Sequence, residues 1–176
     1  MSLKIIFDQY SRYRACADLI KQLGVVPKHS ILDVGSGPEC LMRQFLPGYK
    51  MTFVDPLIPP NSGDQYIVGN IFGSRLDGKS FECVTAVDVL EHVPPEFRSQ
   101  FLDRMSSLAC NALVLGFPAV EDGVASAADK SIEDNYRHVY GRDYSWLEEH
   151  SKYGLPSLDE TIEHLAALGW HCQTVG

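Results

Sequence analysis

Two kinds of apolar pattern alternate along the chain. Residues 8–23, DQYSRYRACADLIKQL, place Tyr10, Tyr13, Ala17 and Ile20 at steps of three and four, with Gly24 behind them. That is the pattern of an amphipathic helix and its stop. SILDV (30–34) reads as a buried strand, CLMRQFL (40–46) as a short helix ended by Pro47-Gly48, and KMTFVD (50–55) as a second strand. A loop rich in proline and glycine, PLIPPNSGD, closes it. QYIVGN (65–70) is a third strand and FECVTAVDV (81–89) a fourth, apolar enough throughout to be central. Pro94 and Pro95 open a helix, PEFRSQFLDRMSSL, and CNALVLGFP (110–118) is a fifth strand. Strands separated by helices or crossovers predict a mostly parallel sheet with helices on both faces, a doubly wound α/β fold.

The remaining chain is less regular. Residues 119–135 are polar, rich in small side chains and weakly periodic, which predicts a surface excursion. Further on, Ser157 and Glu160 form a capping box ahead of a helix bearing Ile162, Leu165 and Leu168. Gly169 stops that helix, and WHCQTV then reads as a sixth strand.

A length of 176 residues suits a single domain. It divides into an N-terminal helix (1–29), a core (30–118), a lid or insertion (119–156) and a C-terminal helix and strand (157–176). Hydrophobic residues at 45% and charged residues at 22% are ordinary for a globular protein. The net charge of −8, with no Lys/Arg run, disfavours nucleic acid and anionic membranes as partners. A small-molecule partner fits better. Five scattered cysteines without a C-x-x-C pair point to reduced thiols in a cytoplasmic protein, not to a disulfide scaffold or zinc ribbon. No apolar run reaches membrane-spanning length and no signal-peptide core is present.

The chemistry concentrates in ILDVGSGPECL (31–41). In such a sheet, ligands bind beyond the carboxyl ends of the strands. Gly35 and Gly37 allow a tight turn and close approach, and the following helix offers unpaired N–H groups. Asp33 is an acid in an otherwise apolar strand, and Asp55 ends the next strand about 20 residues on, where a carboxylate accepts ribose hydroxyls. A dinucleotide fingerprint needs glycine at position 40, where Cys40 stands. Acids such as Asp33 and Glu39 also disfavour a pyrophosphate. A cationic cofactor suits them, and S-adenosylmethionine carries a sulfonium and an ammonium but no phosphate.

ILDVGSGPE, TFVDP, VGNI and AVDVLEHVPP stand in the order and spacing of a class I S-adenosylmethionine-dependent methyltransferase, which the chain resembles over residues 30–118. The fourth segment is most similar to the group related to ubiquinone-biosynthesis methyltransferases, the type 11 and type 23 methyltransferase domains. The resemblance implies a Rossmann-like methyltransferase fold with S-adenosylmethionine as cofactor. It assigns Asp33, Gly35 and Gly37 to the loop around the methionine part, Asp55 to the ribose and Pro56 to the adenine. Asn70 and Ile71 match the pair that edges the adenine, and Asp88 and Val89 begin the segment beside the reactive methyl. Glu39 replaces the third glycine of the motif, so its side chain must point outwards or intrude on the cofactor.

Methyl transfer asks mainly for proximity and alignment. A base is needed only for a hydroxyl or another acceptor of high pKa, and His92 is the candidate, unless Glu91 and His92 merely cap the next helix. Asp88, Glu91 and His92 make too sparse a set for a metal, and none is expected. The aromatic stretch 135–156 offers Tyr136, Arg137 and His138 to an acceptor, or else packs as an ordinary helix. Tyr10, Tyr13 and Arg14 pose the same choice between covering a cleft and forming a core face. The function expected is methylation of a small molecule. The alternatives are a non-catalytic cofactor-binding or scaffold domain of a larger protein, which Glu39 favours, and a nicotinamide oxidoreductase, which Cys40 opposes. The methyltransferase fold closes its sheet with an antiparallel hairpin, whose last strand has no counterpart before Gly176, so the chain reads as the front of a longer protein.

Overall fold

The computed structural model describes residues 5, 7–59, 63–119, 137–138, 141 and 152–175. The chain falls into two compact units, one of Met1–Val89 with Asp103–Gly116, the other of Leu90–Leu102 with Phe117–Gly176. Most of the stretch assigned above to a surface excursion and lid, with Tyr136, Tyr144 and Trp146, lies outside the described residues.

The first unit contains a five-stranded parallel sheet in the order β3-β2-β1-β4-β5. Its strands are β1 (Ser30–Val34), β2 (Lys50–Asp55), β3 (Tyr66–Val68), β4 (Phe81–Val87) and β5 (Ala109–Gly116). These are the five runs expected, with the third, fourth and fifth shorter and the fifth starting one residue earlier. The sequence order reverses direction at β1, which pairs with both β2 and β4, so the switch point at which such sheets bind ligands lies at the carboxyl ends of β1 and β4.

Alternation along the strands divides the core. Helix α1 (Phe7–Gln22) buries Tyr13, Cys16, Ala17 and Ile20 in a cluster that includes Ile31, Phe53, Cys83 and Val114. A fully buried Ile or Phe side chain contributes about 1.5–3 kcal/mol by leaving water. Phe53 stacks on Tyr66 at 5.5 Å between ring centroids, and the Arg43 guanidinium lies 4.8 Å over the Phe53 ring. On the opposite face Leu32, Val34, Val84 and Ala86 are buried. Helix α3 (Pro95–Leu108) is tied to the connection before β4 by Arg104, whose Nε donates to Ile71 O at 3.1 Å and whose Nη2 donates to Asp77 Oδ1 at 2.9 Å.

Helix α2 (Met42–Phe45) is a single turn. Cys40 adopts a left-handed φ of +48°, so helical backbone begins only at Leu41, and Pro47 ends it.

In the second unit, α4 (Leu158–Ala167) starts as its sequence indicates, with the Ser157 hydroxyl accepting from Glu160 N–H at 3.3 Å. It stops at Gly169, φ +93°, where Gly169 N–H donates to Ala166 O and Trp170 N–H to Leu165 O. The expected sixth strand does not form. Residues 170–175 lie outside any strand, and Cys172 Sγ lies 3.9 Å from the carbonyls of both Ile162 and Trp170. The alternating pattern of WHCQTV has no neighbouring strand among the described residues to complete a ladder. Among the described residues no helix is long and apolar enough to cross a membrane.

Helix α1 meets β5 at a tight contact. A Cβ on Gly116 would stand 2.8 Å from Cys16 Sγ. Gly116→Ala should therefore cost about 1–3 kcal/mol by overpacking, and adding Cys16→Ala should recover most of it. Urea denaturation of the two variants checks this; equal stability of Gly116→Ala and wild type would contradict the contact.

Candidate functional site

The first loop gets its shape from two glycines and an acid. Gly35 and Gly37 have φ values of +67° and +63°, which L side chains resist. A Cβ on Gly35 would also lie 2.4 Å from Val89 Cγ2, so position 35 has room for glycine alone. Asp55 then fixes the loop. Its Oδ2 accepts from Gly37 N–H at 2.9 Å and its Oδ1 from Leu57 N–H at 2.7 Å, with the residue 8% exposed. The structure thus joins Gly35 to Val89, and Gly37 to Asp55. Glu39 is exposed, and its Oε2 would lie 3.6 Å from a Cβ on Gly37, so its carboxylate stands against the loop.

Asp33 is the unusual member. It is 1% exposed, and its Oδ2 has no hydrogen-bond partner among the described residues. Burial, reinforced by the nearby charge of Asp55, pushes its carboxyl up to about 8. Helix α1 lies over it. Burial and the charges of Asp33 and Asp88 push Tyr13 well above the ordinary tyrosine range. Burial pushes the thiols of Cys16 and Cys83 up to about 12, helped by Asp88 and Asp33 at Cys16 and by Asp33 and Glu82 at Cys83. None of these three supplies a thiolate or phenolate at neutral pH.

Asp88 has a left-handed φ of +57° just past β4. Its N–H donates to Gly116 O at 2.7 Å, and its Oδ1 pairs with Arg12 Nε of α1 at 2.6 Å. Arg12 was not singled out from the sequence, where nothing distinguishes it from Arg14 two residues on. Arg14 instead faces solvent and pairs with Asp18 at 2.7 Å. Tyr13 belongs to the core, whereas Tyr10 is half exposed against the Phe45 ring at 5.3 Å.

The residues expected to edge an adenine stand on two connections joined where Gly69 N–H donates to Asp55 O at 3.2 Å. Pro56 is exposed beside Asp55. Asn70 is exposed, with its Oδ1 accepting from Phe72 N–H at 3.0 Å, whereas Ile71 is buried and its carbonyl accepts from Arg104. Leu57 and Phe72 on these connections, and Val68 at the end of β3, are exposed apolar side chains.

In the second unit, His92 lies in a 3-10 turn, Leu90–His92, that follows β4 and Val89 in the chain. Its Nε2 is 3.9 Å from Glu91 Oε1, and Glu91 is buried. Arg98 ties this turn to a distant segment, with Nε donating to Val93 O at 3.0 Å and Nη2 to the carbonyls of Tyr153 and Gly154. Burial lowers the Arg98 pKa, opposed by Glu91 and Glu160. Arg137 and His138 are helical and exposed. Among the described residues no group of three or more His, Cys, Asp or Glu is placed to hold a metal.

Burial of Asp33 makes a prediction about stability. Between about pH 4 and about pH 8 the unfolded chain has ionised this carboxyl while the folded chain keeps its proton. The folded state binds more protons, so stability falls as pH rises through that window, by up to about 1.4 kcal/mol per pH unit. Asp33→Asn should remove this part of the fall. Urea denaturation at about pH 5 and about pH 8.5 measures it, and an unchanged pH dependence in the variant would show that Asp33 ionises normally.

No protein-family model and no curated protein sequence matches the chain. Solved structures do. Over 100% of this chain and 83% of its own, the magnesium protoporphyrin IX methyltransferase of Synechocystis PCC 6803, with bound S-adenosylhomocysteine, superimposes with a TM-score of 0.63 at 16% identity. An O-methyltransferase family protein from Burkholderia thailandensis gives a TM-score of 0.61 at 14% identity, over 97% of this chain and 57% of that one. The cyclopropane synthase MmaA2 of Mycobacterium tuberculosis gives 0.58 at 14% identity, over 94% and 62%. The chain thus spans little more than half the length of the Burkholderia protein. What is shared at these identities is the backbone architecture, and the chain has the Rossmann-like fold of the S-adenosylmethionine-dependent methyltransferases.

Proposed function

We propose that the chain binds S-adenosylmethionine at the carboxyl ends of β1 and β2 and serves methyl transfer to a small-molecule acceptor. The observation that carries this reading is the acid pair around the glycine loop. Asp55 pins the loop, and Asp33 lies buried beside it with an unsatisfied oxygen. The ionised Asp55 disfavours a pyrophosphate here, and Asp33, whose proton is held on by burial, ionises most readily when a cation such as an ammonium or a sulfonium comes against it. The shared fold supports the same reading, as does the Synechocystis methyltransferase, which was solved with S-adenosylmethionine as well.

In this reading Asp33, Gly35 and Gly37 hold the methionine part. Asp55 accepts the ribose hydroxyls, for each of its oxygens keeps a lone pair beyond the backbone N–H it already accepts. Pro56, Asn70 and Ile71 flank the adenine, and Asp88 and Val89 run beside the methyl group. When bound, S-adenosylmethionine supplies a methyl already activated by its sulfonium. The chain's own task is then alignment and exclusion of water. His92 would take a proton from an oxygen acceptor through an imidazole nitrogen, with Glu91 beside it to stabilise the resulting imidazolium. The net charge of −8 suits a small acceptor better than a nucleic acid.

Asp55→Ala removes a largely buried acceptor of two backbone hydrogen bonds and of the ribose. It should weaken S-adenosylhomocysteine by roughly ten-fold or more, from about 1.5–3 kcal/mol of charge-assisted hydrogen bonding. Calorimetric titration reads this directly, and wild-type affinity in the variant would remove Asp55 from the site. For an oxygen acceptor, His92→Ala should lower kcat by about 100-fold or more while leaving the cofactor Kd unchanged. Equal losses in both would make His92 a residue of the binding shell.

A further inference from the structure

A single polar side chain interrupts the apolar interior of β4. Thr85 is completely buried, and its Oγ1 has no hydrogen-bond partner among the described residues. Strand register explains where it points. Thr85 pairs with Asp33 across β1 and β4, so the two side chains stand on the same face of the sheet, one strand spacing apart. Their neighbours in that row are Phe53 on one side and Val114 on the other, neither able to hydrogen-bond through its side chain. The two oxygens that lack partners in this part of the core therefore belong to adjacent residues.

An unpaired buried hydroxyl is destabilising, and valine has nearly the same shape and a higher strand preference. Packing alone would favour valine at position 85. A hydroxyl can rotate to donate one hydrogen bond, and the adjacent carboxylate is the acceptor that would gain most from it.

We propose that Thr85 is a positioning residue for Asp33: the two side chains are not hydrogen-bonded in this structure, and when Asp33 ionises a rotation of the Thr85 side chain lets its hydroxyl donate to the carboxylate, which sets how readily Asp33 gives up its proton to meet a cationic ligand. The proposal rests on the cofactor reading for the identity of that ligand, but not for the pairing of the two side chains. Several groups influence the same carboxyl. Asp55 at the end of β2 opposes ionisation of Asp33, as burial does. Tyr13 and Cys16 on α1, Cys40 in the first loop and Cys83 on β4 are each coupled to Asp33 and neutral near pH 7. Asp88, past β4, is paired with Arg12 of α1. Thr85 is thus the neutral donor in register with Asp33, and a hydrogen bond to the ionised form favours that form.

The test compares Thr85→Val and Thr85→Ser with wild type. The Asp33 side-chain carboxyl is followed by carbon NMR against pH in the unliganded protein, with Asp33→Asn to assign the signal. Thr85→Val should raise the Asp33 midpoint by about one pH unit or more, and Thr85→Ser should return it to the wild-type value. Affinity for S-adenosylhomocysteine should follow, being about ten-fold weaker in Thr85→Val near pH 7 and recovering at higher pH. Wild-type and Thr85→Val carboxyls titrating together would overturn the proposal. A shifted carboxyl without S-adenosylhomocysteine binding at any pH would uphold the pair and overturn the cofactor reading instead.

Discussion

Asp55 holding the backbone of Gly37 is the contact on which the candidate site depends. It joins the end of β2 to the turn after β1, and through that turn it fixes where Asp33 and Gly35 stand. The turn exists only because Gly35 and Gly37 adopt left-handed backbone, and Gly35 has Val89 packed against its open side. Loop, acid and strand end form one constraint. A side chain at Gly35, or loss of the carboxylate at Asp55, would undo it from either direction.

Around that constraint the charge is unbalanced. Asp33, Asp55 and Asp88 gather at the carboxyl ends of β1, β2 and β4, and Arg12 answers Asp88. Asp33 is instead answered by burial, which holds its proton on. A buried group that must lose a proton to do its work couples binding to pH, and its neighbours then set the pH at which it works. In this light the isolated Thr85 in an apolar strand acquires a purpose that packing does not give it.

Much of this was legible in the sequence, and the reasons are specific. The strands β1, β2, β4 and β5 are predominantly apolar runs set between turn and helix signals, so their places in the chain followed from pattern, whereas their order in the sheet and the exposed start of β5 did not. Asp33, Gly35, Gly37 and Asp55 announced themselves as polar or flexible residues at the ends of those runs. What the chain kept hidden depends on register and on contacts distant in sequence. The Arg12–Asp88 pair joins residues far apart in the chain, and Arg12 looks no different from Arg14. Thr85 reads as an ordinary strand residue until Asp33 is placed beside it. Cys40 looked like a missing glycine; it keeps the left-handed backbone that glycine favours and shortens α2 to one turn. WHCQTV carries a strand's alternation, yet alternation without a partner strand makes no sheet.

The central claim is that an acidic, glycine-built loop selects a cationic, phosphate-free cofactor. Calorimetric titration of the wild-type chain with S-adenosylmethionine, S-adenosylhomocysteine and NAD, under identical buffer, tests it most directly. Measurable binding of the two adenosyl compounds, and none of NAD at the same concentrations, is the predicted result. Binding of NAD in preference to both would contradict the account.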